Sequence, residues 1–131
     1  WVTPEETEEI RLIFAALGRA EVLDERLIDV VGAVSGSSPA YVYLFIEAMA
    51  DAAVKGGMPR VQAYRFAAQA VLGSAKMVLE TGLHPGALKD MVCSPGGTTI
   101  EAVEALEQKG MRGAVFSAMN ACMEKSRNMS R

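Results

Sequence analysis

The sequence contains very few of the residues on which most catalytic centres depend. There is one histidine, His84, and it lies beside Pro85 in a predicted loop, so neither a catalytic triad nor a paired-histidine metal site is expected. The two cysteines, Cys93 and Cys122, form no C-x-x-C motif and have no metal-ligand spacing. We therefore expect no metal and no disulfide, and we interpret both cysteines as packing residues of a reducing compartment.

Excess positive charge and long apolar runs are also absent. Lysine and arginine number 13 against 16 aspartates and glutamates, and only 6% of residues are aromatic, which argues against nucleic acid as a partner. The longest apolar run, Pro39 to Ile46, is far shorter than the roughly 20 residues of a membrane span. No charged-then-apolar leader opens the chain. We expect a cytoplasmic protein with no membrane partner, and the start at Trp1 suggests a piece of something longer.

What the sequence does contain is apolar residues at helical spacing. Half of the 131 residues are hydrophobic, enough for one domain with a sizeable core, and no useful alternating pattern appears after Leu23. Thr3 and Pro4 predict a helix start, and that helix should continue to Gly18. The short apolar piece from Ala20 to Leu23 reads as a strand or a link, and Asp24 should cap the next helix. The fold class predicted is all-α.

Two long helices dominate the predicted architecture. Ser35 to Pro39 should break the chain before a helix from about Ala40 to Lys55, and Pro59 should open a second, extending to about Leu79. The polar positions of the first helix fall on one narrow stripe, so it should be buried nearly all round. The two long helices therefore have more apolar surface than the other predicted helices can cover. A dimer or a missing domain should therefore hide the remainder. Shorter helices are predicted at about 85–91, 99–109 and 112–126.

The most informative stretch is the loop around Pro95, Gly96 and Gly97, which ends one helix and precedes another. Thr98 and Glu101 have the S/T-x-x-E spacing of a capping box. Adjacent glycines and a helix N-terminus can form a small anion cradle, flanked by the hydroxyls of Ser94, Thr98 and Thr99. The alternative is an ordinary helix-to-helix turn. The run is not a P-loop, because the spaced Gly-Lys-Ser/Thr is missing and no strand precedes it.

Other candidate sites are weaker. Glu101, Glu104 and Glu107 lie three apart and could offer oxygen ligands to a metal, but a solvated helix face is the simpler interpretation. Cys93 precedes the glycines, where a helix N-terminus favours a thiolate, yet no base accompanies it. The residues alone thus predict a site for a small, carboxylate-sized anion.

Two segments resemble the pyrroline-5-carboxylate reductase family. Leu88 to Glu107 is similar to the signature of that family, and Ser35 to Tyr41 is similar to its G-S-G-P-A-Y element. The resemblance covers roughly Val22 to the C-terminus. It implies a helical-bundle dimerisation domain of the 6-phosphogluconate-dehydrogenase-like C-terminal type over residues 24–131. Residues 1–23 would be a remnant, helix plus possible strand, of the preceding dinucleotide-binding domain.

The resemblance also implies a reaction, the reduction of the C=N bond of 1-pyrroline-5-carboxylate to L-proline by NADPH or NADH. By this resemblance Thr99 is the catalytic residue, bonding or protonating the ring nitrogen. The implied substrate-binding residues are Glu25, Val92, Ser94, Gly97, Thr98 and Thr99. The backbone around Gly97 and the Ser94 hydroxyl would hold the carboxylate, Val92 would line the ring, and Glu25 would stabilise the protonated imine.

The implied cofactor site lies mostly outside these residues, since the sequence contains no G-x-G-x-x-G fingerprint; Met91 would be adjacent to it. Two residues depart from the family pattern: Ser38 stands where glycine is usual, and Met91 where asparagine or glutamine is common. The implied partner is a second copy, with a higher assembly of dimers as an extension. Two alternatives remain open, a non-catalytic helical dimerisation module and a phosphate- or nucleotide-binding module.

Overall fold

The protein is α-helical throughout the part that the computed structural model describes, residues 2–129. No strand occurs within that range, and residues 20–24 form a link without regular secondary structure, so the all-α prediction is confirmed. A 3₁₀ turn at Glu25–Leu27 and a π-helical turn at Gly32–Ser37 flank the second helix. The helices are α1 (Pro4–Ala15), α2 (Ile28–Val31), α3 (Ser38–Lys55), α4 (Arg60–Thr81), α5 (Pro85–Met91), α6 (Thr98–Gln108) and α7 (Met111–Met129).

Helix α1 begins where the sequence predicts, and a complete capping box stabilises its N-terminus. The Thr3 hydroxyl accepts from the Glu6 N–H at 3.2 Å, and the Glu6 carboxylate accepts from the Thr3 N–H at 2.8 Å. The helix ends at Ala15, earlier than the predicted Gly18. Within residues 2–129, α1 packs against none of the other helices. Its stability therefore depends on local interactions or on a partner surface.

The predicted break at Ser35 to Pro39 is wrong, because helical backbone continues from Glu25 to Lys55 through the π-helical turn. In such a turn a carbonyl accepts from the residue five positions later, which for Val34 is Pro39, a residue without an N–H. The Ser38 hydroxyl donates to the Val34 carbonyl at 2.5 Å instead. The hydroxyl thus satisfies the carbonyl that proline leaves without a donor, and the helix does not need to end.

Helices α3 and α4 form an antiparallel hairpin that approaches closely through small side chains. The four buried hydrophobic residues among those described are all alanines, and three of them, Ala50, Ala63 and Ala67, belong to this hairpin. Across the connecting turn, the Arg60 guanidinium pairs with the Asp51 carboxylate.

A second group of contacts joins α7 to the beginning of the long helical segment. The Cys122 thiol donates to the Ser37 hydroxyl at 3.1 Å, and the Ser126 hydroxyl donates to the Asp29 carboxylate at 2.5 Å. Burial, and then a hydrogen bond with Cys122, raise the pKa of the nearby Tyr41 above its usual value. The π-helical turn is therefore held in place by the C-terminal helix.

The prediction that the helix after Pro39 is buried nearly all round is wrong for a single copy of the chain. Tyr43 and Leu44 on α3 are 69% and 68% exposed. The cause is the layering: α3 packs on α4, and no further layer of this chain covers their remaining apolar faces. By length and composition alone, Glu25–Lys55 could even cross a membrane, a property shared by helices that other protein surfaces cover.

The solvent-accessible area shows how much surface a single copy of the chain leaves uncovered. The chain exposes 10681 Å², whereas a globular monomer of its mass of 14.0 kDa would expose about 6,700 Å². The difference, about 4,000 Å² for one copy, is more than the roughly 1,000–2,500 Å² per partner that large obligate interfaces bury. Packing between copies or domains must therefore supply most of the core.

Candidate anion-binding loop

Two helix ends precede the loop in the chain, and local interactions explain both of them. Gly82, with φ +64°, ends α4 in the left-handed conformation, and its N–H donates to the Val78 carbonyl at 3.2 Å. The Nδ1 atom of His84 then accepts from the Gly86 N–H at 3.0 Å and caps α5. The sequence reasoning missed this capping role of His84. The signal available was its position directly before Pro85, the preferred first residue of a helix.

Between α5 and α6 the chain makes a tight turn over Ser94 to Gly97. The Gly97 N–H donates to the Ser94 carbonyl at 3.0 Å, with Pro95 second in the turn and Gly96 third at φ +66°. This is the residue pattern of a type II turn, which needs a positive φ at its third position. The Pro-Gly pair thus fixes the direction in which α6 begins.

The predicted capping box at Thr98 and Glu101 is wrong. Gly97 is the N-cap residue, with φ −81° and ψ 165°, and no side chain caps this helix. Because the turn leaves Gly97 extended, Thr98 already occupies the first helical position, and its hydroxyl lies one residue too late to act as the cap. The N–H groups at the start of α6 therefore have no capping side chain and are available to a ligand.

The cradle that results is smaller than the sequence suggests. The Gly97 N–H is used inside the turn, so the available backbone donors are those of Thr98 and Thr99, with the positive end of the α6 dipole behind them. Ser94, Thr98 and Thr99 are exposed, so their hydroxyls are accessible. A small anion can meet two amides and up to three hydroxyls here.

The other predicted site residues differ in their distance from the loop along the fold. Val92 and Met91, 64% and 71% exposed, end α5 and lead directly into the loop. Glu25 lies in the 3₁₀ turn, which packs against α2 and not against α6 in the described part of the chain. The structure thus brings Val92, Ser94, Gly97, Thr98 and Thr99 together along one loop, and it does not bring Glu25 to them.

Two basic side chains on neighbouring helices, Lys89 and Arg112, are already paired with acids. Lys89 contacts Asp90 at 2.6 Å and Arg112 contacts Glu107 at 2.6 Å. These hydrogen bonds to carboxylates raise the pKa of Lys89 and that of Arg112. Within residues 2–129, no group of three or more His, Cys, Asp and Glu side chains is arranged to hold a metal ion. The attraction for an anion therefore comes from backbone amides and hydroxyls.

A helical module that leaves this much apolar surface uncovered has the features of a dimerisation domain. Residues 25–129 match the family model for pyrroline-5-carboxylate reductase dimerisation. The chain belongs to this family. The resemblance seen in the sequence is thereby confirmed.

Relatives in sequence span distant organisms. The chain is 71% identical over 130 residues to the pyrroline-5-carboxylate reductase of Escherichia coli, covering 99% of this chain and 48% of the relative. It is 50% identical over 129 residues to that of Methanosarcina acetivorans, covering 98% of this chain and again 48% of the relative. The chain thus spans about half the length of the curated relatives it matches.

Solved structures show the same fold. A pyrroline-5-carboxylate reductase from Coxiella burnetii superposes with a TM-score of 0.93 at 34% identity, covering 99% of this chain and 48% of that one. The enzyme from Plasmodium falciparum, solved with NADP bound, gives a TM-score of 0.89 at 35% identity, covering 99% and 50%. These similarities confirm the predicted helical dimerisation fold.

Proposed function

We propose that this chain is the substrate-binding and dimerisation half of a pyrroline-5-carboxylate reductase, which reduces the C=N bond of 1-pyrroline-5-carboxylate to L-proline with NADPH or NADH. The family and the relatives in sequence and structure support this reaction. The observation that carries the proposal is the uncapped N-terminus of α6 behind the Ser94–Gly97 turn. It suits a small ring that bears one carboxylate.

In this proposal the carboxylate accepts hydrogen bonds from the amides of Thr98 and Thr99 and from the Ser94 hydroxyl. Val92, exposed beside the loop, packs against the ring. The Thr99 hydroxyl bonds the ring nitrogen and helps to deliver its proton while the adjacent carbon accepts hydride. Glu25 could stabilise the protonated imine only if a second copy brought it to the loop, since it does not pack beside α6 within one copy.

The hydride donor would be held mainly by residues outside this chain, because the sequence contains no G-x-G-x-x-G fingerprint. A nicotinamide supplies the hydride chemistry when bound, and the task of these residues is to hold and orient the acceptor. Met91, exposed at the end of α5, is the residue of this chain that we place adjacent to the cofactor.

Residues 1–23 are proposed to be the end of a dinucleotide-binding domain, and residues 24–131 the helical domain. Two observations support this division. Helix α1 packs on none of the other helices in the described range, and the link after it has no regular secondary structure. An apolar groove separates α1 and the link from the helical part, lined by Ile10, Phe14, Val34 and Leu79 among others. A sheet from the remainder of such a domain would cover this groove.

A second copy of the chain is proposed to cover the apolar faces of α3 and α4. The surface of one copy in excess of a globular monomer, about 4,000 Å², is larger than one partner's share of an obligate homodimer interface, roughly 1,000–2,500 Å². A separate apolar groove between α6 and α7, lined by Leu106, Val115 and Phe116, offers a contact through which dimers could associate further. A cytoplasmic location is part of the proposal, and binding of the chain to lipid vesicles would argue against it.

Substitution of Thr99 tests the proposed reaction directly. In the full-length enzyme, Thr99→Ala should lower kcat about 100-fold, the usual contribution of a positioned proton-transfer group, with an unchanged melting temperature. Thr99→Ser, which keeps the hydroxyl, is the matched control and should retain most of the activity. Undiminished turnover of Thr99→Ala would contradict the role proposed for this residue.

The alternative function, a non-catalytic helical dimerisation module, is favoured by the large uncovered apolar surface alone. The two proposals differ in what the loop binds. Crystals of the complete protein soaked with L-proline should show the ligand at residues 94–99 in the first case. The absence of ligand density at these residues would favour the non-catalytic dimerisation module.

A further inference from the structure

We infer that Gly97 is a positioning residue for the Ser94 hydroxyl, and that it acts through its missing side chain. This inference rests on the proposed function, in which Ser94 binds the substrate carboxylate. It assigns to Gly97 a role different from the donation of its own N–H, which the turn already uses.

The two adjacent glycines are required for different reasons. A Cβ added to Gly96 would meet nothing within 4 Å, but its φ of +66° is unfavourable for other residues. Gly97 has φ −81° and ψ 165°, which any residue can adopt. A Cβ added to Gly97, however, would lie 2.4 Å from the Ser94 Oγ and 3.1 Å from the Ser94 carbonyl oxygen. Gly97 is therefore required for space and Gly96 for backbone conformation.

The missing Cβ at position 97 lets the Ser94 hydroxyl keep its present rotamer. Its Oγ occupies the space that a Cβ on Gly97, the N-cap residue of α6, would need. Across the described range of the chain, this Oγ makes no hydrogen bond to another residue. A hydroxyl without an internal partner can bond a ligand without first breaking another bond.

A methyl group at position 97 would force the Ser94 hydroxyl to move. No Cβ contact as short as 2.4 Å is tolerated, so the Ser94 Oγ must leave its present position by rotation to another χ1 rotamer. Gly97→Ala should then resemble loss of the hydroxyl itself. Removing the hydroxyl should in turn relieve most of the conflict, because the Ser94 Cβ lies 3.6 Å from the added atom, an ordinary contact distance.

A double-mutant cycle on the full-length enzyme tests this coupling. Ser94→Ala and Gly97→Ala should each raise the KM for 1-pyrroline-5-carboxylate about tenfold, the effect of losing one hydrogen bond to a charged group. Because both remove the same interaction, the double variant should have a KM within about twofold of either single variant. Gly113→Ala is the control, since it lies in α7 with no atom within 4 Å of the added Cβ, and its KM should not change.

Crystal structures of the same variants give a readout that does not depend on activity. The Ser94 side chain should occupy one rotamer in the parent enzyme and a different one in Gly97→Ala. Effects on KM that multiply in the double variant, or an unmoved Ser94 rotamer in Gly97→Ala, would overturn the inference. A parent enzyme that does not reduce the imine would refute the proposed function, while the rotamer comparison would still decide the role of Gly97.

Discussion

At the scale of single residues, the loop depends on backbone conformations that the side chains alone do not reveal. Gly96 and Gly97 are neighbours, yet one supplies a positive φ and the other supplies space beside Ser94. The sequence indicates that two glycines permit a turn. The difference between them arises only when the Ser94 side chain is placed, which requires the three-dimensional path of the turn.

Gly96→Ala should destabilise the protein through backbone strain. At φ +66° an added Cβ costs about 1–2 kcal/mol, although it would touch no neighbouring atom. Urea unfolding should show this loss as a lower midpoint at constant slope. Gly113→Ala, an open helical position, should instead stabilise by up to about 1 kcal/mol. Equal midpoints for Gly96→Ala and the parent would contradict the turn geometry.

Tyr41 should make the protein less stable in alkali. Burial and the hydrogen bond with Cys122 raise its pKa in the folded state above the usual value of 10.0. The neutral phenol is thus favoured by folding, so its contribution is complete below the unfolded pKa and is lost as pH rises through the folded pKa. Ultraviolet titration of the phenols, with Tyr41→Phe to identify the group, should show ionisation above pH 10. Ionisation of Tyr41 below that value would contradict the packing described here.

At the scale of helices, the same sequence pattern has two different outcomes. Thr3 and Glu6 form a capping box, whereas Thr98 and Glu101, at the same spacing, do not. The difference lies in where the helix begins. The Ser94–Gly97 turn makes Gly97 the extended N-cap residue of α6, so Thr98 lies at the first helical position, whereas Thr3 is itself the N-cap of α1.

Helix α1 should therefore be sensitive to a change that leaves α6 unaffected. Thr3→Ala should destabilise α1 by about 1 kcal/mol. Because α1 packs on none of the other described helices, the loss should appear as faster amide exchange at Glu6 and Thr7. Thr98→Ala is the matched comparison, and protection of the α6 amides should be preserved. A fall in α6 protection as large as that in α1 would show that Thr98 acts as a cap.

Much of the helical architecture can be predicted from sequence because its signals are local. Thr3, Asp24, Gly82 and Pro85 mark helix ends that the structure confirms, and the helix Pro85–Met91 agrees at both bounds. The π-helical turn cannot be read in the same way. Glycine, serine and proline at 35–39 normally end a helix, and continuity here depends on the Ser38 hydroxyl and on contacts from α7, 85 residues further along the chain.

At the scale of the whole molecule, a single copy of the chain leaves much of its apolar surface uncovered. The sequence predicts this surplus of apolar surface and its cover by a dimer or a missing domain, but it does not predict that the helix after Pro39 is itself so exposed in one copy. In the structure, α3 and α4 bury little besides alanines, and their large side chains point outward. Which residues are buried depends on how the chains assemble. No pattern within one sequence specifies those residues one by one.

The chain should sediment as a dimer at micromolar concentration. A total accessible surface about 4,000 Å² larger than that of a globular monomer, with many exposed apolar side chains in it, is otherwise left in water. The melting temperature should also rise with protein concentration, because unfolding and dissociation are linked. Tyr43→Glu on the exposed face of α3 should shift the mass towards the monomer, and Lys76→Glu, a polar position on α4, is the control. A monomeric mass for the parent chain would contradict the proposed interface.

We propose that the loop at residues 94–99 holds the carboxylate of the substrate ring. The most direct test is a crystal structure of the complete enzyme with L-proline, the proposed product. Its carboxylate oxygens should lie within about 3 Å of the Thr98 and Thr99 amide nitrogens and of the Ser94 Oγ. L-proline bound elsewhere, with no density at this loop, would contradict the proposed site.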